Sequence, residues 1–251
     1  MQNNLQLYKK MKIIEKIIEK QENLLNSQPI TIGFLGDSVT QGCFECYLTS
    51  PTSLETVYDG GSSYSNRLKE LLALLYPKVQ VNIINAGVSG DSAPSGLKRL
   101  DRDVLRFNPD LVVVGFALND SCAGESGLDA YKDAMTNIVD SIQNSGAECI
   151  LLTPNTMNLN VSPHLKDQLF IDLAKSFSSV QNDGILDLYV DAIRKIAKDK
   201  NVKICDVYSK WKKMIASGVN TTELLANKLN HPVREIHYLT AMMLLDCILG
   251  E

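Results

Sequence analysis

Five short apolar runs rich in β-branched residues constrain this chain more than any other feature: Ile30 to Leu35, Val79 to Ile84, Leu111 to Phe116, Cys149 to Leu152 and Val202 to Val207. Stretches with helical periodicity lie between and after them, at Tyr64 to Leu75, Ser95 to Arg106, Leu128 to Asn144, Ile185 to Asp199 and Glu235 to Ile248. Such alternation implies a parallel sheet with helices on both faces. Several of the runs are apolar without a break, as in strands covered on both sides. A chain of 251 residues buries an extensive core without disulfides or metal. No repeat, linker or shift in composition divides it, so the reading is one domain over residues 29–251 behind a separate amphipathic helix over residues 1–28. In that helix Leu7, Met11, Ile14, Ile18 and Leu25 follow a/d-like spacing. It is expected to pack on its own domain, with a homodimer contact as the alternative.

Composition narrows the function classes. With 22% charged residues and a formal charge of -4, the chain has no basic excess, so neither nucleic acid nor a membrane surface is an expected partner. Lysine and glutamate interrupt the opening stretch too often for a signal peptide, and the longest apolar run elsewhere, Leu111 to Leu118, is far short of the ~20 residues that span a bilayer. A cytoplasmic protein is the expectation. Of six cysteines, only Cys43 and Cys46 are close in sequence, and no second pair follows to complete a zinc site. They read as reduced thiols, and Cys149 and Cys205 as small core residues. No metal or organic cofactor is expected.

In an open parallel sheet, ligands bind outside the carboxyl ends of the strands. The first run ends in Gly36-Asp37-Ser38, the second in Asn85-Ala86-Gly87-Val88-Ser89-Gly90-Asp91-Ser92, and the third in Ala117-Leu118-Asn119-Asp120; Asn230-His231-Pro232 precedes the last helix. A serine, a glycine turn, an asparagine and a histidine are the parts that acyl transfer requires. Serine is a poor nucleophile until an imidazole takes its proton, and the tetrahedral intermediate then needs fixed hydrogen-bond donors for its oxyanion. The backbone amides of Ser38 and Gly90 and the side chain of Asn119 are candidates for those donors.

The segments GFLGDSVTQG, NAGVSGDSA, RLDRDVLRFNPDLVVVGFALND and NHP, in that order, resemble the four sequence blocks of the SGNH (GDSL-type) hydrolase superfamily, from about residue 30 onward. The resemblance implies a flavodoxin-like three-layer α/β/α sandwich with a five-stranded parallel sheet. It also implies Ser38 as nucleophile, His231 as general base, and Ser38, Gly90 and Asn119 as the oxyanion hole. One position departs: the family usually places an aspartate three residues before the histidine, and here that residue is Lys228. A lysine cannot accept the imidazole hydrogen bond. Three acceptors stay open: a side-chain oxygen of Asn227 or Asn230, a backbone carbonyl, or Asp206 at the end of the fifth run. The favoured reading is a Ser–His dyad oriented by a neutral oxygen.

Other residues take secondary readings. His164 reads as a surface residue and His237 as a packing or capping one. Asp37 and Asp120 read as turn or cap residues, Asn85 as a brace for its turn, and Arg99, Asp101 and Asp103 as salt-bridged helix residues, exposed or half-buried. Asp37, Asn155 and Tyr47 are candidate substrate contacts. The stretch from Gly42 to Ser63 reads as a long polar loop in which Tyr47 and Tyr58 wall a compact pocket. The function expected is a serine esterase acting on a small-molecule ester, removing a short acyl group, acetyl first, from a carbohydrate or similar alcohol. The alternatives are a lysophospholipase or thioesterase, an O-acetyltransferase, and a non-catalytic binding module.

Overall fold

The computed structural model describes residues 11–250. Along the chain run the strands β1 (Ile30–Gly36), β2 (Cys43–Ser50), β3 (Ser53–Tyr58), β4 (Val81–Gly87), β5 (Leu111–Gly115), β6 (Glu148–Leu152) and β7 (Lys203–Cys205). The helices are α1 (Lys12–Glu22), α2 (Ser38–Gln41), α3 (Tyr64–Leu75), α4 (Ala93–Asp103), α5 (Leu118–Ser121), α6 (Leu128–Asn144), α7 (Gln168–Asn182), α8 (Ile185–Asp199), α9 (Val207–Ala216) and α10 (Arg234–Leu249).

Five strands form one parallel sheet in the order β4-β1-β5-β6-β7, while β2 and β3 pair antiparallel as a separate two-stranded sheet. Counting the parallel strands alone, the order is that of the flavodoxin-like doubly wound fold. Period-two geometry sorts the strand residues between two cores. Ile30, Ile32, Phe34, Leu111, Val113, Ile150 and Leu152 pack with α1, α3, α9 and α10. Leu35, Val112, Val114, Cys149 and Leu151 face the opposite way, against α4, α6 and α8. Both faces being covered, the strands read as unbroken apolar runs, and the helices found at Leu128–Asn144, Ile185–Asp199 and Tyr64–Leu75 coincide with their periodic stretches.

Three sequence expectations are corrected here. The stretch after Gly42 is not a loop but the β2–β3 hairpin, turning at Pro51-Thr52. Its β-branched and aromatic residues were visible, but Glu45, Thr49 and Glu55 broke the alternation and no Asn-Gly marked the turn. Helices α7 and α9 lie outside the periodic stretches of the sequence, although Phe170 and Ala174 in one and Val207, Tyr208 and Trp211 in the other supply helical spacing and are buried. The N-terminal helix ends at Glu22, and its buried face is Ile13, Ile14 and Ile17 with Met11 just before it; Ile18 and Leu25 are exposed, and Leu7 lies outside the described residues. That face packs against the chain's own core, and Glu148 caps the helix by accepting the amides of Lys12 and Ile13. No described helix is long and apolar enough to cross a membrane.

Candidate active site

The carboxyl ends of β1, β4 and β5 meet at one edge, where β1 pairs with both neighbours up to Gly36↔Gly87 and Gly36↔Gly115. The chain leaves β1 into the single turn α2. Asp37 is its N-cap and accepts the Val39 amide, so the cap reading of this residue holds. Ser38 is therefore in the first turn of a helix, where its N–H has no intrahelical acceptor. Gly87 has to be a glycine, because a Cβ there would come within 2.2 Å of the Gln41 amide nitrogen. Asn85 fastens the same junction, donating to the Thr40 carbonyl and accepting the Gly87 amide, which is the bracing role read for it.

The loop after β4 carries Gly90 at φ +78°, a left-handed conformation that suits a residue without a Cβ. Two side chains fix this loop. Gln41 Oε1 accepts the Ser89 amide at 2.7 Å, and the Asn119 amide donates to the Asp91 carbonyl at 2.8 Å. Asn119 itself sits in α5, entered through Ala117 at φ 139°, a region that costs an L-residue energy. Asp120 accepts the Ala93 amide at the start of α4, again as a cap.

Beneath these loops lies Arg99, which is buried rather than exposed or half-buried as its charged neighbourhood suggested. It donates to Asp91, to the Ala86 carbonyl and to the Gly36 carbonyl, so one guanidinium joins the ends of β1 and β4 to the Gly90 loop. Burial pushes the Asp37 carboxyl up to about 7 and that of Asp120 up to about 6, with nearby carboxylates adding to both.

His231 reaches the edge from the opposite side of the site. Its Nε2 lies 2.9 Å from Ser38 Oγ and its Nδ1 lies 3.0 Å from the Phe44 carbonyl oxygen. A carbonyl only accepts, so the proton is on Nδ1 and the Nε2 lone pair faces the serine hydroxyl. Both side chains are buried. Burial drives the imidazole down to about 4, against a smaller upward pull from the Phe44 carbonyl, and the ring is neutral at pH 7.

The orienting acceptor is thus a backbone carbonyl, one of the three options open in the sequence, and the named side chains do other things. Asn227 Oδ1 gathers the amides of Leu229, Asn230 and His231, each at 3.0 Å, and folds the loop that carries the histidine. The Asn230 side chain accepts from Asn227 Nδ2. Asp206 caps α9 through Ser209 and pairs with Arg194, away from the ring. Lys228 turns to Glu223, at 3.0 Å. Asn155 donates its amide to the carbonyls of Thr156 and Asn230, bracing the histidine loop, and with Asp37 it lines a cavity below the serine. Tyr47 and Tyr58 are half-exposed on the hairpin. His164 is exposed as expected, and His237 caps α3 by accepting the Tyr64 amide. Sequence reasoning missed Gln41 and the hairpin residue Phe44, whose role is carried by its backbone and so leaves no side-chain signature.

The fold and the paired serine and histidine define a class, and the comparisons name it. The GDSL-like lipase/acylhydrolase family model matches residues 34–239, and the chain belongs to that family. Among curated relatives, it is 29% identical over 87 residues to an acetylxylan esterase of Geobacillus stearothermophilus, covering 35% of this chain and 38% of that protein. It is 26% identical over 124 residues to an arylesterase of Vibrio mimicus, covering 48% of this chain and 59% of the relative. Each match spans less than two thirds of the relative's length. A solved acetylxylan esterase from Geobacillus stearothermophilus superposes with a TM-score of 0.65 at 19% identity, over 88% of this chain and 95% of that one, which establishes a shared fold.

Proposed function

We propose that this protein is a serine esterase whose acyl-enzyme forms on Ser38. The observation that carries the reading is the 2.9 Å contact between Ser38 Oγ and a His231 Nε2 whose tautomer is set by the Phe44 carbonyl. His231 takes the serine proton as Oγ attacks the ester carbonyl. Negative charge then moves onto the carbonyl oxygen, toward the amides of Ser38 and Gly90 and the second N–H of Asn119. Collapse expels the alcohol, which takes the proton back from the imidazolium. A water deprotonated by His231 then releases the acid and regenerates Ser38. Without a carboxylate on Nδ1, the imidazolium gains only a neutral hydrogen bond.

A short acyl group on a polar alcohol, such as an acetylated carbohydrate, is the substrate class proposed. The acetylxylan esterase names among the relatives support it. Hydrolysis of p-nitrophenyl acetate, butyrate and octanoate by the wild type and Ser38→Ala tests the reading. Turnover that falls with chain length and disappears in Ser38→Ala is the expected result. A preference for octanoate would move the substrate to lipids or thioesters, and equal rates in both proteins would end the esterase reading.

A further inference from the structure

In the family pattern the residue that orients the histidine rides on the histidine's own loop. Here the orienting oxygen belongs to Phe44, 187 positions away in sequence, on a hairpin outside the main sheet. A two-stranded hairpin is marginal by itself, so something must hold its carbonyl in register with the imidazole. Arg234, three residues after His231 and the first residue of α10, makes that connection. Its Nη1 and Nη2 form a fork on Glu45 at 2.6 and 3.0 Å, its Nε donates to Asp59 at 3.0 Å, and its guanidinium carbon lies 4.2 Å from the centre of the Phe44 ring.

The placement of these contacts is informative. Glu45 follows Phe44 directly, and Asp59 follows Tyr58, which pairs across the hairpin with Cys43, the residue before Phe44. One planar cation therefore ties Glu45 on β2 to Asp59, just past the end of β3, close to the peptide that carries the acceptor, and it is joined to the histidine by a short, braced segment. A lysine could supply the charge but not the bidentate fork or the flat stacking surface. With the guanidinium removed, Glu45 and Asp59 would also repel each other.

We infer that Arg234 is a positioning residue for catalysis, acting through the Phe44 carbonyl to fix the tautomer and aim of His231. This rests on the esterase reading of Ser38 and His231. The ion pairs are half-exposed, and exposed pairs contribute little to stability. Their loss should therefore register in the alignment of the dyad more than in the fold, since small misplacements of reacting groups cost up to ~100-fold in rate.

The test combines kinetics on p-nitrophenyl acetate with the Nδ1–H proton resonance of His231, in protein labelled with 15N-histidine. In Arg234→Gln, kcat should fall roughly 10- to 100-fold with KM little changed, and the Nδ1–H signal should move upfield and exchange faster with solvent. Arg234→Lys should recover only part of kcat. Adding Glu45→Gln to Arg234→Gln should recover some activity by removing the carboxylate repulsion. Arg194→Gln, which breaks a comparable exposed bridge to Asp191 and Asp206, should leave both readouts unchanged. Wild-type kcat and an unmoved Nδ1–H signal in Arg234→Gln would overturn the inference. If Arg234→Gln does not fold, Arg234→Lys and Glu45→Gln carry the same comparison. A wild type that does not turn over the ester, or a Ser38→Ala as active as the wild type, would refute the esterase reading, while the resonance would still decide whether Arg234 holds the imidazole contact.

Discussion

The two halves of the site are built differently. The serine half hangs from three adjacent strand ends of one sheet, cross-tied underneath by buried Arg99 and above by Asn85, Gln41 and Asn119. The histidine half has no sheet beneath it: a loop folded around Asn227 meets a hairpin, and half-exposed ion pairs join the two. In the first half, geometry is secured by the same contacts that secure the fold. In the second, the link between loop and hairpin is made by half-exposed ion pairs, which the fold can spare. Damage to the first should therefore show in stability as well as rate, and damage to the second mainly in rate.

The largest effects are expected where the two halves meet. Ser38→Ala and His231→Ala should each lower kcat by at least about a thousandfold, and the double variant should be little worse, because the two act as a unit; steady-state kinetics on p-nitrophenyl acetate checks this. On the serine side, Asn119→Ala should cost ~100- to 1000-fold in kcat if its amide meets the oxyanion. A rise in KM at unchanged kcat would place it in binding instead.

Stability separates the halves next. Arg99→Leu leaves buried Asp91 unpaired, and removing one partner of a buried pair costs about 3–5 kcal/mol. That corresponds to a fall in Tm of about 10 °C for a chain of this size, read by calorimetry, whereas Arg234→Gln should shift Tm far less. Equal shifts would erase the distinction.

The pH dependence follows from His231. Its pKa is lowered to about 4, so the neutral base persists as pH falls through the ordinary imidazole range, and kcat/KM should hold from pH 8 down to about 5 before declining. A midpoint between about 6 and 7 that persists in Asp37→Asn and Asp120→Asn, the carboxyls that burial raises into that range, would mean a solvated ring. The smallest effects concern residues the sequence suggested and the structure places elsewhere. Lys228→Ala and Asp206→Asn should change kcat by less than about twofold, as expected for substitutions outside the reacting groups.

The same division explains what the sequence revealed. Ser38, Gly90 and Asn119 announced themselves because each follows an apolar strand whose end must lie at a common edge, so local pattern and topology pointed to one place. The sheet was legible for the same reason, since burial on both faces leaves unbroken runs such as Leu111 to Gly115. The histidine half was not. Its acceptor is a main-chain oxygen, which every residue type carries and which therefore leaves no mark in the sequence, and its hairpin is interrupted by Glu45 and Glu55. Those interruptions have opposite significance: Glu45 belongs to the clamp, and Glu55 stands exposed opposite Tyr47. Arg99 was misjudged because a charged run on a helix normally faces water, and its buried carbonyl partners are visible only in three dimensions.

Whether Ser38 is a nucleophile activated by a carbonyl-held His231 can be read from labelling with an organophosphorus probe, followed by peptide mass mapping, in the wild type and His231→Gln. The expected result is a single adduct on Ser38 in the wild type and a labelling rate reduced by at least about a hundredfold in His231→Gln. No adduct, an adduct on another residue, or equal labelling in both proteins would contradict it.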